Sequence, residues 1–125
     1  MDMTRRTLLV IGAGGLVFLS APGVWAAPSG PRYLGVRRLG DGRSEPFRFA
    51  ACVADAKGHT LRQVDLPARG HGFALRPDGK LAVALARRPG TFAAAFAVDG
   101  DGPAKVFHAP AGRHFQGHAV FEPTG

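Results

Sequence analysis

Residues 70–80 read GHGFALRPDGK, and residues 117–125 read GHAVFEPTG. The two stretches are copies of one pattern: Gly-His, a short apolar run, then Pro-x-Gly. The Gly-His pairs lie 47 residues apart, at His71 and His118, and the turns 46 apart, at Pro77 and Pro123, so one residue is lost between them. Proline presets the first turn angle, Asp78 or Thr124 bonds nearby backbone, and glycine takes the positive φ. Each copy is therefore a strand followed by a tight turn, repeated at a period of roughly 40–50 residues, the span of one four-stranded propeller blade.

The residues between the copies supply such a blade. HGFALRP is its innermost strand, LAVALARR (residues 81–88) the second, TFAAAFAV (residues 91–98) the third and KVFHAP (residues 105–110) the outer, edge strand. Turns fall at Pro77-Asp78-Gly79, Arg88-Pro89-Gly90 and the DGDGP stretch. Alanine is the strongest helix former, but eight residues between Gly79 and Pro89 are too few for a helix. Alternation points to strands. Leu81, Val83 and Leu85 share one face and Ala82, Ala84 and Ala86 the other, and Phe92, Ala94, Phe96 and Val98 alternate with alanines likewise. The expected packing sets the bulky face of one blade against the small face of the next. Upstream, RYLGVRRL, FRFAACVAD and HTLRQVDLP supply strands of a preceding blade, with turns at Gly40-Asp41-Gly42 and Lys57-Gly58. The fold class expected is all-β: a partial β-propeller of about two four-stranded antiparallel blades.

The strings LPARGHGFALRPDG, ARRPGTFA and PAGRHFQGHAVFEPTG resemble the opening repeats of the domain of unknown function 1513 family. The resemblance runs from about Arg32 to Gly125. It implies a bacterial exported protein of propeller type, and longer relatives, so that residues 27–125 read as the N-terminal part of a propeller stopping within a third blade. It implies no established activity. The genes of the family often neighbour imelysin-like periplasmic iron-uptake proteins, which makes such proteins expected partners and iron or copper the expected cofactor.

The start of the chain reads as an address. Arg5 and Arg6 precede a run without charge over residues 7–31, and Thr4-Arg5-Arg6-Thr7-Leu8-Leu9 is similar to a twin-arginine export signal. Glycines dilute the apolar core, Pro22-Gly23 breaks it, and Val24-Trp25-Ala26 places small residues for cleavage after Ala26. Residues 1–26 are thus expected to be a signal peptide read by the twin-arginine translocase, the mature chain periplasmic, and no stable membrane anchor left. The alternatives are a general secretory signal and an uncleaved span, which needs about 20 apolar residues.

Composition narrows the rest. Beyond residue 26 the chain keeps 14 Lys and Arg against 8 Asp and Glu, a net +6. The arginines are scattered over strands and turns, with only the pairs Arg37-Arg38 and Arg87-Arg88, so the charge reads as a solvated surface and no nucleic-acid partner is expected. Cys52 is the only cysteine, which excludes an internal disulfide and a thiolate zinc site.

Chemistry, if any, rests on histidines. His71 and His118 open successive innermost strands, so in a propeller they converge on the axis, where imidazoles bind Cu, Fe or Zn. His114 is a third candidate ligand, and Arg69 and Arg113, each beside a Gly-His pair, suit a carboxylate or phosphate. The competing reading is structural, with the imidazole bonded to a neighbouring blade's backbone. No Ser/His/Asp order, nucleophile elbow or carboxylate pair has usable spacing, so the catalytic residues stay unknown and the reading leans away from an enzyme. Three functions are carried forward: a periplasmic binding or scaffold protein linked to metal uptake, a metal-dependent redox enzyme with a His-lined axial site, and a truncated chain with no function.

Overall fold

The computed structural model describes residues 7–12, 15–20, 30–41, 43 and 46–124. Arg5, Arg6, the cleavage stretch Val24-Trp25-Ala26, Gly42 and Gly125 lie outside them. Strands β1 (Thr7–Gly12) and β2 (Gly15–Ser20) form an antiparallel hairpin that is a sheet of its own. Three strands, β3 (Tyr33–Leu39), β4 (Arg48–Ala54) and β5 (Thr60–Leu66), make a second antiparallel sheet in chain order. Four more, β6 (Gly70–Leu75), β7 (Leu81–Ala86), β8 (Phe92–Ala97) and β9 (Lys105–His108), make the third, also in chain order. Among the described residues there is no helix, hence none long and apolar enough to cross a membrane.

The chain is thus all-β, with two propeller-like meanders packed face to face. The later meander has the four strands expected of a blade, with β9 on its edge. The earlier one has three, one fewer than expected. Residues 118–122, expected to open a third blade, run without strand pairing. Their start packs on β6, His118 against His71, without joining its ladder.

Register corrects the expected packing. Ala82 pairs with Phe96 and Ala84 with Ala94, while Leu81 pairs with Ala97 and Leu85 with Ala93. Paired residues share a sheet face, so small residues of β7 and large ones of β8 lie side by side on the face that meets the earlier sheet. That face carries Phe73, Ala82, Ala84, Ala86, Phe92, Ala94, Phe96 and Val98. It packs against Val36, Phe49, Ala51, Val53, Val64 and Leu66 of β3, β4 and β5. Relief therefore alternates from strand to strand, with alanine rows forming a trough that the opposing sheet fills.

Polar contacts lock the same junction at its rim. Arg62 on β5 reaches the β8–β9 turn, where its guanidinium donates to the carbonyls of Gly100, Asp101 (3.3 Å) and Gly102 (3.0 Å). Arg32 forms an ion pair with Asp99 in that turn. These contacts tie the start of β3 and the middle of β5 to one loop.

Candidate functional site

The end of the later sheet where β6 begins and β7 ends gathers the residues singled out above. His71 sits in a β-bulge: Gly70 pairs with Ala86 and Gly72 with Leu85, which leaves His71 without a partner on β7. A bulge bends the strand and re-aims the extra side chain, and His71 is accordingly exposed.

The chain after β9 turns back over this bulge. The Arg113 amide donates to the Pro110 carbonyl (3.0 Å), and the Phe115 amide donates to the Gly90 carbonyl (3.1 Å), anchoring the segment to the β7–β8 turn. Gly117 is buried and takes φ +86°. Its placement brings His118 against His71, with ring centroids 5.0 Å apart and planes at 87°. Only glycines permit this. A Cβ on Gly72 would strike the Gly117 carbonyl oxygen, and one on Gly117 would stand 2.5 Å from His71 Cδ2.

The structure therefore joins the two repeated histidines edge to face. His114 takes a different course, with Nε2 beside the Gln116 amide nitrogen at 3.2 Å. Among the described residues no group of three His, Cys, Asp or Glu could hold a metal ion. The contact brings the two rings together edge to face, with centroids 5.0 Å apart. The pair can supply two donors, and the remainder of a coordination shell must come from elsewhere.

Basic residues outnumber acidic ones around this end. Arg69 and Arg87 meet through a backbone bond, the Arg87 amide donating to the Arg69 carbonyl at 2.9 Å. Arg88 follows directly, and Arg113 sits in the turn after β9. Neither Arg69 nor Arg113 pairs its guanidinium with an acid among the described residues. His108, at the end of β9, has Nδ1 3.5 Å from Thr91 Oγ1. The stretches nearest the two histidines, residues 66–72, 85–91 and 111–121, contain no Asp or Glu, and Asp65 and Glu122 flank them. The acids of this sheet sit at its other end. There Arg76 bonds Asp78, and that bond, with the Lys80 amide, holds the Asp78 carboxyl below its ordinary range.

Arg87 and Arg88 belong to the candidate site although sequence reading placed them on a solvated surface. The signal that could have found them is the hairpin itself: a β6–β7 pairing puts the residues before β6 beside those after β7. His59 lies elsewhere, in the β4–β5 turn, bonded to Asp55 at 3.0 Å. Its backbone amide is the main reason that carboxyl is held low.

Comparison with known families matches residues 64–125 to the family described as "Protein of unknown function (DUF1513)". The match starts within β5 and takes in the whole four-stranded sheet and the segment beyond it, a shorter span than the resemblance expected from Arg32. No curated protein and no solved structure matches the chain.

Proposed function

The chain belongs, through residues 64–125, to the DUF1513 family of proteins of unknown function, and from that premise we propose that it is an exported binding protein whose ligand is a transition ion, iron or copper, carried by a carboxylate chelator. The observation that carries this reading is the His71–His118 pair at the end of the sheet where the backbones of Arg69 and Arg87 also meet. Two imidazoles are too few to hold a bare ion with the geometry iron or copper requires. A chelate brings its own oxygen donors, and its excess negative charge suits Arg69, Arg87, Arg88 and Arg113, since guanidinium forks recognise carboxylates in two-pronged fashion. Periplasmic iron-uptake proteins of the imelysin type are the partners this role would serve.

The test is calorimetric titration of the purified chain with ferric citrate and, separately, with cupric ion alone. The chelate is expected to bind, with at least tenfold weaker binding after His71→Ala or His118→Ala and a comparable loss after Arg69→Ala. Binding of the chelate that survives both histidine substitutions, or no binding at all, rejects the reading.

Export is the second part of the proposal, supported by Arg5-Arg6, the apolar run and the Val24-Trp25-Ala26 stretch. Replacing Arg5 and Arg6 together by lysine keeps the charge but removes the paired guanidinium groups that the twin-arginine translocase reads. Precursor is then expected to accumulate in the cytoplasm, seen as an uncleaved band on fractionation. Unimpaired processing of the double-lysine chain would assign it to the general secretory route.

A further inference from the structure

Strand direction identifies what the three-stranded sheet lacks. In the four-stranded sheet β6 runs one way, β7 returns, β8 repeats the first direction and β9 the second. Only Pro67, Ala68 and Arg69 separate β5 from β6, so β6 starts at the end of the molecule where β5 stops and runs against it. Since β3, β4 and β5 alternate, β3 also runs against β6. Two contacts agree. Gly70, at the start of β6, lies against Val36 in the middle of β3. A cleft at the other end joins Arg32, Tyr33 and Leu34 to Leu75 and Val98. Neighbouring blades present equivalent strands in the same direction, so β3, β4 and β5 correspond to β7, β8 and β9. The equivalent of β6 is the one missing, and its seat is the free edge of β3. On the outer side the correspondence also holds, because Arg62 of β5 grips the turn leading into β9.

We propose that this edge receives residues 118–122 of a second copy of the chain, adding a fourth strand by β-augmentation. Three observations favour that occupant. Residues 117–125 repeat the sequence of β6 and its turn, which is the strand the edge lacks. They come after β9 as β6 comes after β5, yet they pair with no strand among the described residues. Val120, at the position of an inner-strand apolar residue, is 91 % exposed, so its backbone is open to a partner strand. The receiving edge is prepared as well. None of the backbone bonds formed outside the ladders involves Tyr33–Leu39 among the described residues. Gly35, mid-strand, has nothing within 4 Å of where a Cβ would stand, so no contact inside the chain accounts for a residue that weakens strands and marks the close approach of another backbone.

The pairing is head to tail, and such contacts close into rings or continue as filaments.

Sedimentation velocity over a wide dilution series tests this on the purified chain and on Val120→Pro. Proline lacks the ladder donor, and at an exposed, unpaired position it leaves the two sheets intact, which far-UV circular dichroism verifies. The native chain is expected to form a discrete species of a few copies, and Val120→Pro to sediment as a monomer. A labelled peptide of residues 115–125 should then bind the Val120→Pro chain, whose β3 edge is free, whereas a scrambled peptide should not. Assemblies that persist unchanged in Val120→Pro, a native chain that stays monomeric throughout, or a peptide that fails to bind would each overturn the proposal.

Discussion

Phe96→Ala is expected to lower the free energy of unfolding by about 3–5 kcal/mol, the cost of truncating a buried phenylalanine. Phe96 is 3 % exposed and stands on β8 at the centre of the face where the two large sheets meet. Its ring meets Phe73 edge to face, with centroids 6.4 Å apart, a geometry aromatic pairs favour. Its register partner across the ladder is Ala82, so no large neighbour on β7 can swing in to fill the space. Ala84 and Ala94 are small and fully buried, which leaves Phe73 as the large ring beside the gap. A domain is stable by only about 5–15 kcal/mol, so the substitution removes a large share of the total. Urea unfolding followed by far-UV circular dichroism measures it. A loss below about 1 kcal/mol, the range of surface substitutions, would mean that this face does not hold the sheets together.

The same face shows where sequence reasoning succeeds and where it stops. Period-two alternation and the Gly and Pro turn residues place every strand from β3 to β9, because both signals are local to a segment. Register is not local. Which residue of β8 stands beside Ala84 depends on how many residues the β7–β8 turn uses, and the alternation of each strand alone is compatible with either face pointing inward. The expected bulky-against-small packing went wrong for that reason, while the inward alanines and phenylalanines were each read correctly as strand residues. The count of strands in the earlier sheet failed differently. Composition shows apolar runs but cannot show whether an edge has a neighbour.

The contact between the two repeated histidines was legible through repetition. Equivalent positions in successive units must lie near each other, and that alone brings His71 and His118 together. His114 has no counterpart in the first copy (Pro67-Ala68-Arg69 stands there), and the structure directs it toward Gln116. Arg87 and Arg88 had no repeat to reveal them, and their place beside Arg69 follows from hairpin pairing alone.

Gly117→Ala should open the site while leaving the core standing, the opposite outcome to Phe96→Ala. Gly117 has φ +86°, where a side chain costs about 1–2 kcal/mol. The added methyl would also stand 2.5 Å from Cδ2, 3.0 Å from Cγ and 3.2 Å from Cβ of His71. A ring can rotate away from the first of these contacts, but the Cβ is fixed by the bulge and cannot. On the other side the Gly117 carbonyl already rests on Gly72, so the segment cannot retreat toward β6. It must lift. Lifting breaks the bond from the Phe115 amide to the Gly90 carbonyl and separates the imidazoles. No residue beyond Ala104 belongs to the core cluster, so the loss of global stability should stay near that conformational cost. Hydrogen exchange offers the direct reading: the Phe115 amide should lose its protection in Gly117→Ala while amides of β7 and β8 keep theirs. Ferric citrate binding should fall at least tenfold in the same variant, although neither histidine has been altered. Retained Phe115 protection together with unchanged chelate affinity would show that the glycine is not what holds the two rings together. Loss of protection with affinity intact would show that the ligand does not depend on the pair. The two readouts thus separate the geometry of the site from its proposed chemistry, because the first follows the backbone alone and the second requires both rings.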